Sequence, residues 1–283
     1  MIQIDPKKSS IRDVYHLMIS AISPRPIAFV GSVNNLDEHN LAPYSFFNGF
    51  GANPPIVGFS PANSGRTGLP KDTLLNIEET KEFTISIVTK DIVNQVSLSS
   101  CEFNRNVDEF EKTGLTKFKS QIISPYGVKE SPIIMECKLY EIIKLGNLPA
   151  SGNLILGEII FFHIDEKVLD EKNKINSKEI NHIGRSGGNF YTESKNSFFE
   201  IHKPNCLGVG FDKLPADLLQ SSLRGDELAK LASVEYIPEL ILNESLACHS
   251  LKEVISEISS SLKKDDVQKS WQIFLNWENN SNV

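Results

Sequence analysis

The residues best placed to do chemistry fall in two short stretches. The first, residues 23–48, reads Ser-Pro-Arg-Pro-Ile-Ala-Phe-Val-Gly-Ser-Val, a polar turn, then Asn-Leu-Ala-Pro-Tyr-Ser-Phe-Phe-Asn. Pro24 and Pro26 fix φ and hold Arg25 in an extended, pre-ordered pose. Ala42, Pro43, Tyr44 and Ser45 then bring aromatic and hydroxyl groups side by side. That mixture suits a flat ligand with polar edges. Proline beside a strand also marks a plain edge or turn, and Phe46-Phe47 also suits a core, so the stretch by itself leaves both readings open.

The second stretch is Lys71-Asp72-Thr73, followed by Leu74, Leu75 and Ile77 at helical spacing. A helix over 72–80 with Asp72 or Thr73 as N-cap is expected. Its first turn would offer free N–H groups and a partial positive charge to an anion, with Lys71 adding a full charge. Taken alone, the same residues describe a capped surface helix with a solvated lysine. Arg66, in the Gly-rich interval 63–70, is either a second anion clamp or a loop tip.

These residues need a scaffold, and the rest of the chain supplies the pattern of one. Residues 27–33 are a short apolar, β-branched run bounded by turn signals, the mark of a core strand. Residues 83–88 alternate with period two. Residues 133–140 do the same, with Ile133, Met135, Cys137 and Leu139 on one face and Glu136 and Lys138 on the other. Residues 154–164 are longer and more uniformly apolar, as in the centre of a sheet or a subunit interface. Short helices are expected over 72–80, 91–98 and 107–113.

Around Pro204 the character changes, and residues 214–277 read as helical with Pro215 and Pro238 as punctuation. Leu251, Val254, Ile255, Ile258 and Leu262 recur at helical spacing, as do Val267, Trp271, Phe274 and Leu275. Such stripes are packing surfaces, turned toward the strand-rich part, a second copy or another protein. The expected organisation is therefore mainly β over 1–212, with a helical C-terminal extension over 213–283.

Composition narrows the function classes. A net charge of -7 without a basic stripe excludes bulk binding to nucleic acid. No apolar run is long enough to cross a bilayer, and the first residues lack a signal peptide's basic-then-apolar pattern, so a cytoplasmic location is expected. Cys101, Cys137, Cys206 and Cys248 form no Cys-x-x-Cys pair, and the histidines are dispersed, so neither a metal nor a disulfide framework is expected. There is no Gly-x-Ser-x-Gly elbow, no Gly-x-Gly-x-x-Gly fingerprint and no Walker-type loop.

Further short motifs follow in order: Asn53-Pro54-Pro55-Ile56-Val57-Gly58-Phe59-Ser60, Lys71-Asp72-Thr73-Leu74-Leu75-Asn76-Ile77, Glu109-Phe110 with Gly114-Leu115-Thr116, Ser131-Pro132-Ile133 with Glu136-Cys137, Leu156-Gly157-Glu158-Ile159 with His163, and Gly184-Arg185-Ser186-Gly187-Gly188 with Tyr191. Together with Ser23–Asn48 this collinear set, over roughly residues 10–235, resembles the flavin reductase-like, FMN-binding split-barrel family. The resemblance implies a split β-barrel with short flanking helices and FMN as cofactor. It places the segment holding Ala42, Pro43, Tyr44 and Ser45 against the flavin ring, and Ser60, Lys71 and Thr73 at its phosphate, with Asn76 in the same cofactor-binding set. Arg25 and the turn starting at Arg185 are expected near the same cleft, and His163 beside the nicotinamide or substrate space. The implied activity is that of an NAD(P)H-dependent flavin reductase working as a homodimer. The alternatives are an FMN-binding electron carrier reduced by a protein partner, or a flavin-dependent oxygenase.

Overall fold

The computed structural model describes residues 1–201, 208–243 and 250–281. Pro204, Cys206 and Cys248 lie outside the described residues, whereas Cys101 and Cys137 are free thiols, the first exposed and the second buried. The chain divides into two compact units, Met1–Phe198 and Phe199–Val283. It passes from one to the other earlier than the 212/213 boundary expected from the change in pattern.

The first unit opens with helix α1, Ile11–Ala21, whose N-terminus is capped by the Ser10 hydroxyl accepting the Asp13 N–H. Strands β1 (Ala28–Val33), β2 (His39–Tyr44), β3 (Phe47–Ala52) and β4 (Pro55–Phe59) follow. Helix α2 covers Asp72–Thr80, β5 covers Glu82–Ile87, α3 covers Val93–Ser99 and α4 covers Glu109–Thr113. The helix expected over 91–98 is thus a 3-10 turn at Lys90–Ile92 running into α3, and that expected over 107–113 is shorter. Two-residue strands β6 (Lys117–Phe118) and β7 (Gly127–Val128) precede the long pair β8 (Ile133–Lys144) and β9 (Asn153–Ile164). Helix α5 (Ser177–Ile180) and the hairpin β10 (Ile183–Arg185) with β11 (Tyr191–Glu193) complete the unit.

A seven-stranded sheet carries the unit, in the order β2-β1-β5-β8-β9-β4-β3, with every neighbouring pair antiparallel. Strand β9 is an interior strand, held by β8 on one side and β4 on the other. The two edge strands, β2 and β3, are joined by Ser45 and Phe46 alone. A sheet whose outer edges are separated by two residues must curl until those edges approach at that corner. Among the described residues no ladder joins β2 to β3, so the sheet is open and not a closed barrel.

Period-two alternation along β1 explains why every residue in it is buried. Ala28 and Val30 enter a core with Phe59, Leu74, Ile77, Phe83, Ile85 and Ile155. Phe29, with Ile27, enters another with Leu41, Val88, Val96 and Phe110. Close packing fixes Gly157 on β9, since a Cβ there would lie 2.2 Å from the Phe83 ring.

The second unit holds helices α6 (Ala216–Leu219), α7 (Gly225–Ala232), α8 (Leu251–Leu262) and α9 (Val267–Ser281). The stretch between α7 and α8 that contains Pro238 is irregular where described, interrupting the helical reading. The stripes of α8 and α9 meet each other and α7: Leu231, Val254, Ile258, Trp271 and Phe274 form one core. Trp271 is fully buried and donates its indole N–H to the Leu231 carbonyl at 3.1 Å. This unit therefore buries its own apolar faces. No helix among the described residues is long and apolar enough to cross a membrane.

Candidate functional site

Ala42 through Phe47 are half-buried, and they form the corner where the two sheet edges are joined. Ala42 and Pro43 pair with Val30 and Phe29 of β1. Pro43 is tolerated there because β2 is an edge strand, free of a partner on its other side. Three consecutive residues of the corner each bond to a different candidate element. Tyr44 donates to Thr73 Oγ1 at 3.0 Å, Ser45 Oγ accepts the Arg25 Nε–H at 3.3 Å, and the Phe46 carbonyl accepts the Ser60 N–H at 2.9 Å.

The Tyr44 bond belongs to a buried network. Asn40 Nδ2 donates to Thr73 Oγ1 at 2.8 Å, and Asn76 Nδ2 donates to Ser32 Oγ at 3.2 Å. Thr73 is 1% exposed and Asn76 3%, so both side chains point into the fold. Thr73 therefore supports the corner through its hydroxyl and turns its backbone amide, in the first helical turn, outward from the helix end. Burial drives the Tyr44 phenol's pKa up, keeping it protonated and able to donate. Its ring packs on Phe59 with centroids 5.3 Å apart.

Helix α2 has the expected bounds, but its N-cap precedes both expected candidates: Lys71 is the N-cap, in extended conformation, and no side chain caps the end. Asp72 is instead the first helical residue, paired with Arg105 at 3.4 Å. A lysine at the positive end of a helix breaks the local rule that favours Ser, Thr, Asp or Asn there. A second cation arrives from the loop after β4. That loop closes on itself through Gly68 N–H to the Ser64 carbonyl and Ser64 N–H to the Leu69 carbonyl, both 2.8 Å, and presents Arg66. Lys71 Nζ lies 3.4 Å from Glu102 Oε1, and the Arg66 guanidinium pairs with Glu102 Oε2. Lys71 foremost, then Arg66, holds the Glu102 carboxyl below the usual carboxylate range. Ser60 sits nearby in chain terms, its Oγ 2.9 Å from where a Cβ on Gly152 would be.

Arg25 is 4% exposed, and its guanidinium is spent mainly on backbone carbonyls: Ile19 and Ile22 at the C-terminal end of α1, and Ser186. The Ile19 and Ile22 carbonyls are orphan acceptors of a helix end, which a cation satisfies well. Arg25 also exchanges backbone hydrogen bonds with Arg185, at 2.9 and 2.8 Å. The Arg185 side chain covers the Tyr191 ring at 4.5 Å and donates to the Phe190 carbonyl. Arg25 thus ties α1, the Arg185 turn and Ser45 together. The neighbouring Ser186 Oγ is enclosed and has no hydrogen-bond partner among the described residues.

His163 belongs to a different cluster. Its Nε2 lies 2.6 Å from Glu136 Oε1, with the rings of Phe118 and Phe161 each 4.8 Å away. Glu136 is fully buried, whereas Lys138, grouped with it on one strand face by the alternation, is exposed. It accepts the N–H groups of Gln121, Ile122 and Ile123, so the 121–123 segment covers that face of β8. Burial alone would raise the Glu136 pKa, but the His163 bond and these amides outweigh it and hold it low.

Sequence reasoning also missed the environments of Glu109 and Glu102. Glu109 is 7% exposed and accepts the Leu41 N–H at 2.9 Å, capping the free edge of β2; burial pushes its pKa up to about 7. Its Glu-Phe pair is visible in the sequence, but nothing there marks it as buried. Among the described residues no group of three or more metal-ligating side chains converges.

Residues 20–179 match the family described as flavin reductase like domain. An uncharacterised protein of Aquifex aeolicus is 33% identical over 181 residues, covering 64% of this chain and 90% of that protein. The structure of nitrilotriacetate monooxygenase component B from Bacillus cereus matches with TM-score 0.67 and 34% identity, over 71% of this chain and 98% of that one. The 2-nitrobenzoate 2-nitroreductase of Pseudomonas fluorescens matches with TM-score 0.65 and 29% identity, over 73% and 98%. With more than half of its length matched, the chain belongs to the flavin reductase like domain family.

Proposed function

We propose that the protein is an FMN-dependent NAD(P)H oxidoreductase of the flavin reductase kind, its open curled sheet serving as a split barrel. The observation that carries this reading is the corner at Tyr44, Ser45 and Phe46, bonded respectively to Thr73, Arg25 and Ser60. The donor set fits FMN. Lys71, Arg66 and the first amides of α2 suit a phosphate dianion. The Ser45 hydroxyl, accepting from Arg25, keeps its hydrogen to donate to a ring heteroatom, and Tyr44 and Phe46 offer apolar edges.

When bound, FMN supplies two-electron redox chemistry, and the chain needs no acid, base or nucleophile of its own. The protein's part is to orient the ring at the corner, anchor the phosphate at α2 and limit water there. His163 is assigned to holding Glu136 and not to the reacting space, because its contacts belong to the β8–β9 cluster. A homodimer is part of the proposal, since Phe161 and Phe162, at 38% and 49% exposure, offer β9 apolar surface to a second copy.

Purified protein supplied with FMN should consume NADH or NADPH in the presence of a flavin or dye acceptor. Absence of turnover with both nucleotides and every acceptor would overturn the oxidoreductase reading.

A further inference from the structure

Two cations at an uncapped helix start repel one another and the positive helix end, and they need an anion. The chain provides one from a distant loop. Glu102 places one carboxylate oxygen on Lys71 and the other on Arg66, bridging them as a phosphate would. It comes from the irregular segment between α3 and α4 and is about half exposed, so it can leave for solvent without burying a charge. Resting on the FMN reading above, we propose that Glu102 is an internal competitor for the ligand's phosphate, lowering the margin by which this cluster favours phosphate-bearing flavins over riboflavin.

The competition follows from charge and acceptor count. A phosphate dianion brings more charge and more acceptor oxygens than one carboxylate, and it displaces Glu102 with a net gain. Riboflavin carries no group to exchange and leaves the Lys71–Glu102–Arg66 clasp shut. Glu102 stays ionised at neutral pH because both cations lower its pKa, so the competition operates throughout that range.

The test compares Glu102→Gln, Lys71→Gln and Glu79→Gln in the full chain, titrating each with FMN and with riboflavin by flavin fluorescence. Glu79 lies on α2 and pairs with Arg105 from the segment between α3 and α4, so its neutralisation controls for the loss of one negative charge near α2. The expected result is that Glu102→Gln tightens FMN by about three- to fivefold, the range of an exposed ion pair, with riboflavin unchanged. Glu79→Gln should move FMN much less. Unchanged FMN affinity in Glu102→Gln, equal tightening of both flavins, or an equal effect from Glu79→Gln overturns the proposal. The underlying site assignment fails separately: it is lost if Lys71→Gln leaves FMN affinity unaltered.

Discussion

Tyr44 donates to Thr73 Oγ1 across 3.0 Å, tying the end of the edge strand β2 to the first turn of α2. This bond couples the segment proposed to face the flavin ring with the helix proposed to face its phosphate. Asn40 reaches the same oxygen, so Thr73 satisfies two donors at once. Thr73→Val should cost about 2 kcal/mol of stability by leaving those donors unmade, and Tyr44→Phe about 1 kcal/mol. The double variant should lose less than the sum, because the two changes share a bond. Urea unfolding of the four proteins checks this, and strict additivity would mean that the bond does not form.

Lys71→Glu should weaken FMN retention strongly, since the phosphate would meet a like charge at a helix end that already lacks a cap. Ser45→Ala should cost about 1 kcal/mol of flavin affinity, one hydrogen bond. Arg25 keeps its carbonyl partners in that variant, so the fold should be unaffected. Equilibrium dialysis with FMN separates the two effects, and an equal loss in both variants would contradict the division into ring and phosphate segments.

His163→Ala should lower stability by about 1–3 kcal/mol by depriving the buried Glu136 of a charged-group hydrogen bond. Turnover per folded molecule should persist. A folded variant that binds FMN normally yet has lost turnover would return His163 to the reacting space.

Glu109 sets a pH dependence. Its pKa rises from 4.5 to about 7 on folding, so the native state binds the extra proton between those values. Its contribution to stability is complete below about pH 4.5 and is lost as pH rises through 7. Glu109→Gln keeps a carbonyl acceptor for the Leu41 N–H without a titrating charge, so it should flatten that decline. Denaturation midpoints at pH 5, 6, 7 and 8 measure it; parallel pH profiles of the two proteins would contradict the assignment.

The sequence carried the local elements well where periodicity and punctuation agree. The helix at 72–80 and the strands around 27–33 and 83–88 were readable because their partners lie on the faces that the pattern implies. The burial of Glu136 was not legible because alternation assigns a face without saying what covers it. Here the 121–123 segment covers it, and the β8–β9 register shifts by a bulge at Glu136/Cys137. Glu102 carried no signal, since it reaches Lys71 from a loop without periodicity. The stripes of α8 and α9 showed which residues pack but not against what; their partner proved to be one another. The resemblance brought the Tyr44–Ser60 region together, whereas the inward turn of the Thr73 side chain and the role of Lys71 as N-cap depend on the three-dimensional packing of α2, which no local pattern encodes.

The most direct measurement is an anaerobic absorbance spectrum of the FMN-loaded protein before and after adding NADH, then NADPH. Bleaching of the visible flavin band by at least one nucleotide is the result expected of an NAD(P)H oxidoreductase. A bound flavin that keeps its colour with both nucleotides, yet bleaches with dithionite, would contradict that account and make the protein a carrier fed by another protein.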